Sequence, residues 1–249
     1  MGSSIKIGFA GSYKCDLLLY MARVAAAAGK NVMVADATDE QLLNYSMPDG
    51  LDDSIINYCR CDILPGCGCS GAYGQLEFDK YDIVLIDYGF NKSLLHQAKN
   101  CNVLIVVSDF ERYNVLKLRD CFREAFGTSQ EIEIETSQQN QGEEYGQAMN
   151  APKMNVVKIY RDVVNSKINS DYIDHLLDID DMSNVTGGYL FYLDDTDHRL
   201  RLESQYNDNF HFNKLSKEYK LMFSDILQPY LNIDAKELNK VIKKAERGV

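Results

Sequence analysis

The chain has 249 residues, of which 25% are charged and 45% hydrophobic, the proportions of a globular protein able to bury a large core. Its 37 acidic residues outnumber 26 basic ones, and the formal net charge of −11 repels phosphate backbones and anionic lipid, weighing against nonspecific nucleic-acid binding. No apolar run approaches the roughly 18 residues that span a bilayer, and no basic stretch followed by an apolar one opens the chain, so a cytoplasmic protein, at most peripheral to a membrane, is expected.

Ile5 to Ala10 is a short apolar run closed by Gly11-Ser12, the pattern of a buried strand feeding a turn. From Asp16 to Ala28, Leu17, Leu18, Met21, Ala22, Ala25 and Ala28 recur at helical spacing, and Gly29 is a helix-stopping glycine. Asn31 to Asp36 reads as a second strand ending on a carboxylate. Strand, helix and strand within about 35 residues make a parallel unit with a right-handed crossover. Tyr81 to Asp87 and Asn102 to Ser108 are further strands, with a helix from about Arg112 to Phe126. Lys153 to Tyr160 predicts a fifth strand, Ile168 to Leu177 a helix, and Gly188 to Leu193 a sixth strand. The last 40 residues read as helical, with a break at Pro229 and a terminal helix over 230–249. Unalternating Val/Ile/Leu strands imply a sheet covered on both faces. The fold class is therefore α/β, doubly wound, a mostly parallel sheet with helices on both sides, in one domain over residues 1–249. Two stretches interrupt the rhythm: an irregular, Cys-containing segment at 40–75 and a polar loop at 128–151.

The order of these elements, with Asp36 and Asp87 at strand ends, resembles the deviant P-loop ATPases of the MinD/ParA family, of the SIMIBI class, over roughly residues 4–228. Tyr20 to Thr38 (YMARVAAAAGKNVMVADAT) is similar to that family's first helix and second strand, and Tyr81 to Asp87 (YDIVLID) to its Walker B strand. The resemblance implies a P-loop NTPase fold, a dimer formed face to face across the nucleotide, and ATP with magnesium as ligands. The nucleotide-binding positions it implies are Gly11, Ser12, Lys14, Cys15, Asp16, Asp36 and Asp87.

The phosphate loop departs from the family's pattern, in outline GKGGxGK[ST][ST]. Aligning the helix puts Lys14 at the Walker lysine, Cys15 at the magnesium-binding hydroxyl and Tyr13 where a glycine should stand. The loop is about three or four residues short, and the family's first lysine has no counterpart. Asp16 sits where a helix N-terminus attracts anions, so it is expected to cap the helix and fill that site itself. Asp87, without its hydroxyl partner, is expected to pair with Lys14. Asp36 and Asp39 either orient a water, as in an active relative, or form a solvated turn. The resemblance thus implies a degenerate member: a pseudo-ATPase adaptor or spatial organiser of a larger assembly, as in pilus, secretion or positioning systems and the TadZ/CpaE-like branch. Its partners would be a second copy of itself or a related active ATPase. The alternative enzyme reading keeps ATP hydrolysis, with Lys14 on phosphate and Asp87 on magnesium.

A third reading starts from the cysteines. Four of the seven lie between residues 59 and 69, as Cys59-Arg60-Cys61 and Cys67-Gly68-Cys69. Four thiolates suit zinc or an iron–sulfur cluster, and Pro65-Gly66 supplies a turn between the pairs. The Cys-x-Cys spacing is tighter than the usual knuckle, so disulfides, a loop of unliganded thiols and redox use stay open beside metal. Cys15, Cys101 and Cys121 read as buried thiols. His96, His175, His198 and His211 show no ligand spacing, and Asp194-Asp195-Thr196-Asp197 is an acidic turn. Near the C-terminus Leu238, Val241, Ile242 and Ala245 share a helical face opposite Lys240, Lys243, Lys244 and Arg247. Three large apolar residues are too few for firm membrane attachment, so that face is expected to dock on the domain itself or on a partner.

Overall fold

Runs of Val, Ile and Leu too short for helices form the middle of one eight-stranded sheet. The computed structural model describes residues 4–47, 55–68, 73–127, 153–206 and 211–248. The strands are β1 (Ile5–Gly11), β2 (Val32–Asp36), β3 (Ile56–Tyr58), β4 (Cys61–Leu64), β5 (Ile83–Gly89), β6 (Val103–Ser108), β7 (Met154–Val163) and β8 (Ser183–Tyr192). Their order is β3-β4-β2-β5-β1-β6-β7-β8, with every pairing parallel except β3 with β4. The helices are α1 (Cys15–Ala27), α2 (Arg112–Phe126), α3 (Ser170–Leu177), α4 (Asp195–Ser204), α5 (Lys217–Leu231) and α6 (Ala235–Ala245).

Consecutive residues of the central strands feed two separate cores, which is why these strands do not alternate apolar with polar. Ile83 and Leu85 join Leu17, Met21, Phe223, Leu227, Leu238 and Ile242 from α1, α5 and α6. Val84 and Ile86 face the other way, toward Val115, Leu118, Phe122, Ile173 and Leu177 from α2 and α3. The fold is the expected α/β arrangement with helices on both faces.

α1 is buried from Cys15 to Ala26, as befits a helix apolar on all sides. Its alanines let α6 approach closely. Leu238, Ile242 and Ala245 of α6 are buried in the core shared with α1 and α5, and Arg23 Nε donates to the Ala245 carbonyl at 2.8 Å. Each large side chain buried there contributes about 1.5–3 kcal/mol. The amphipathic C-terminal face thus docks on the domain itself. Among the described residues no helix is long and apolar enough to cross a membrane.

The structure corrects several boundaries. Pro229 lies inside α5 rather than at a break, and the chain turns instead at Asn232, a left-handed residue (φ 55°), so the last helix covers 235–245. β8 starts at Ser183, five residues before the expected strand. The segment 40–75 is not wholly irregular, because β3 and β4 form a hairpin within it. Its two-residue turn is Cys59-Arg60, with φ of 53° and 69°, the signs of a type I′ turn. Asn-Gly is the usual signal for such a turn; Cys-Arg takes it at a cost of about 1 kcal/mol per residue and so hides it. The expected loop at 128–151 lies outside the described residues.

Candidate functional site

Strand register gathers the site at the carboxyl ends of the central strands, where open α/β sheets bind ligands. β5 lies between β2 and β1, so Asp87 pairs with Phe9 on one side and with Asp36 on the other. β1 ends at Gly11 (φ 99°), where a Cβ would stand 2.1 Å from the Val107 carbonyl oxygen, so no larger residue fits. Only Ser12, Tyr13 and Lys14 then separate β1 from α1. Ser12 N–H donates to the Val107 carbonyl at 2.9 Å, and the buried Ser12 hydroxyl has no hydrogen-bond partner among the described residues.

Lys14 folds back over this short loop. Its Nζ lies 2.7 Å from Asp87 Oδ1 and donates to the carbonyls of Gly11 at 3.0 Å and Ser12 at 3.1 Å. An ammonium has three protons, and these three acceptors match them one for one. Lys14 is 2% exposed and Asp87 1%. Burial pushes the Asp87 carboxyl up, an effect the Lys14 ammonium opposes, and Gly89 N–H donates to its Oδ1 at 2.8 Å. The expected Lys14–Asp87 pairing is present. Cys15 opens α1 fully buried, and burial, then Asp87, pushes its thiol well above the ordinary range.

Asp16 does not cap the helix. Lys14 occupies the N-cap without a side-chain bond, while Asp16 turns inward to a bidentate pair with Arg161 of β7, both contacts at 2.8 Å. Asp36 is not in a solvated turn either: it is fully buried and accepts from Thr38 N–H at 2.9 Å, Thr38 Oγ1 at 2.6 Å and Leu43 N–H at 2.9 Å. Burial, then Asp87, pushes its carboxyl up to about 6. Asp39, which directly follows Thr38, is exposed.

Side chains that no sequence pattern announced complete the arrangement. The Tyr13 hydroxyl meets Ser46 Oγ at 3.1 Å and accepts from Nε2 of Gln205, the residue that follows α4, at 3.3 Å, tying the loop to two distant segments. Asn91 Nδ2 donates to the carbonyls of Ala37 and Gly68, both at 2.9 Å, and so joins the β2 loop to the cysteine segment. Thr38, two residues after Asp36, was open to a local reading as a turn partner. Arg161 was not, because it stands 145 residues from Asp16.

The cysteines separate. Cys61 packs in the core on the α1 face of the sheet and Cys67 in the core on the α2 face. Cys67 Sγ donates to the Asp36 carbonyl at 3.2 Å, and Cys59 Sγ accepts from Arg23 Nη1 at 3.1 Å. Cys69 lies outside the described residues, and among those described no group of three or more His, Cys, Asp or Glu side chains is placed to hold a metal ion.

No protein-family profile and no curated protein matches the chain. Solved structures do. A ParA family ATPase from Chlorobium tepidum TLS is similar over 90% of this chain and 98% of its own, with a TM-score of 0.52 and 11% identity. A candidate plasmid partition protein from Borrelia burgdorferi B31, bound to AMPPNP, is similar over 92% of this chain and 100% of its own, with a TM-score of 0.50 and 14% identity. The fold is ParA-like.

The residues of this ParA-like fold, as arranged, do not fit magnesium and a triphosphate. Lys14 has no proton left to donate, Cys15 offers no hydroxyl, and the three-residue loop is too short to wrap a phosphate. What the arrangement does is tie β1 and the start of α1 to β5 through the buried Lys14–Asp87 pair, and α1 to β7 through Asp16 and Arg161.

Proposed function

We propose that the chain is a ParA/MinD-like pseudo-ATPase, a cytoplasmic adaptor or spatial organiser of a larger protein assembly, working as a homodimer or beside a related active ATPase. The observation that carries this reading is the Lys14 ammonium, whose three protons are all taken by Asp87, Gly11 and Ser12 inside the protein. A phosphate would have to break that set and leave Asp87 buried without its cation, a cost of several kcal/mol.

Equilibrium dialysis of labelled ATP with magnesium tests it. The expected result is no saturable binding up to millimolar nucleotide and no hydrolysis above background. Millimolar or tighter binding that disappears in Lys14→Ala would overturn the reading in favour of an ATPase with an altered phosphate loop.

A further inference from the structure

β8 ends the sheet, and among the described residues no strand pairs with its outer side. Edge strands are normally protected by charge, proline or brevity. This one has a bulge at Thr186, another usual protection, but runs ten residues, SNVTGGYLFY, without a charged residue or a proline and pairs regularly with β7 from Gly187 to Leu190. Val185, Leu190, Tyr192 and the following Leu193 are 40–63% exposed. In a chain of net charge −11, so long a neutral edge is a place where another strand can approach.

The face beside it is shaped for side chains. Lys158, Gly188 and Leu190 help line a cavity of about 380 Å³ between β8 and α3. Asp174 and Asp180 stand at that cavity, each 2.6 Å from Lys158 Nζ, and the Tyr160 hydroxyl donates to Asp174 at 2.7 Å. Lys158 is 7% exposed against 66% for Asp180, so the cation is covered and a carboxylate faces outward. Lys153 reaches the Asp180 carbonyl at 3.3 Å and offsets part of the charge. Asp181 lies at the start of the strand and Asp194 and Asp195 at its end. All three are exposed and outside every ion pair among the described residues.

We infer that β8 takes an added strand from a partner protein: an extended, largely apolar segment with Lys or Arg at both ends. Backbone hydrogen bonds along the free edge would supply affinity, and the cavity and the flanking carboxylates the selectivity. Charge argues against the other occupants. Antiparallel pairing of two copies centred on Gly188 would set Asp181 of each near Asp195 of the other. The chain's own segment 128–151 carries Glu131, Glu133, Glu135, Glu143 and Glu144 and is repelled likewise. The surface lies three strands from β1 and is independent of whether nucleotide binds.

Fluorescence anisotropy with the full chain tests the inference. The probe is a labelled ten-residue peptide of alternating Val, Thr and Tyr with two Lys at each end. Saturable binding is expected at low salt, weakened about tenfold or more when the Lys ends become Glu and abolished by central prolines. Asp181→Lys combined with Asp195→Lys should reverse the preference between the two peptides. No saturable binding of the Lys-ended peptide, or indifference to that charge reversal, overturns the inference. So does a concentration-dependent dimer abolished by Leu190→Lys, which would make the occupant a second copy.

Discussion

Two carboxylates meet side by side at the ends of β2 and β5, and each is settled differently. Asp87 has the Lys14 ammonium at 2.7 Å, whereas Asp36 has only neutral donors, from Thr38 and Leu43. Burial and its neighbour therefore push the Asp36 carboxyl from 3.8 up to about 6. Between those values the folded protein keeps a proton that the unfolded chain has released. Stability consequently falls as pH rises through that window and levels off above it. Two pH units correspond to about 3 kcal/mol. Urea unfolding of the parent and of Asp36→Asn across the window should show their difference in stability changing by about that amount. A difference that stays constant with pH would mean that Asp36 titrates alike folded and unfolded.

Between elements, the Asp16–Arg161 pair is the main polar tie from α1 to β7, with both side chains buried. Arg161→Met strands a carboxylate in the interior and should cost about 3–5 kcal/mol in urea unfolding. Asp16→Leu added to Arg161→Met removes that orphan and should recover much of the loss; a double variant as unstable as the sum of the singles would refute this. The central strands, α1 and α2 were legible because their patterns are local: an apolar run bounded by turns, or a helical period closed by Gly29. The hairpin of β3 and β4 was not, because Cys59-Arg60 takes a turn that its residue types do not signal. Of the site, the Lys14–Asp87 pairing followed from the missing hydroxyl at Cys15. Asp16's partner did not, since nothing in the residues around Asp16 points to a strand 145 positions later.

At the scale of the whole molecule, the net charge of −11 opposes a phosphate backbone. Nonspecific DNA binders show dissociation constants of about 10⁻⁶–10⁻⁴ M at physiological salt. The chain should show no salt-dependent binding to a labelled duplex in that range by anisotropy, and binding that strengthens as salt falls would contradict the expectation.

The clasp between Asp16 and Arg161 also sets an order of events on the ribosome. The chain is made from its N-terminus at about 5–20 residues per second, so the carboxylate emerges roughly 7–30 s before its counter-charge. Within that interval β2, β5 and β6 emerge in turn and can pair with β1, but α1 cannot seal over them without burying a lone negative charge. The nascent half-sheet therefore keeps one apolar face open at least until the seventh strand arrives, with α5 and α6 completing its cover later still, and that face is what a chaperone would meet.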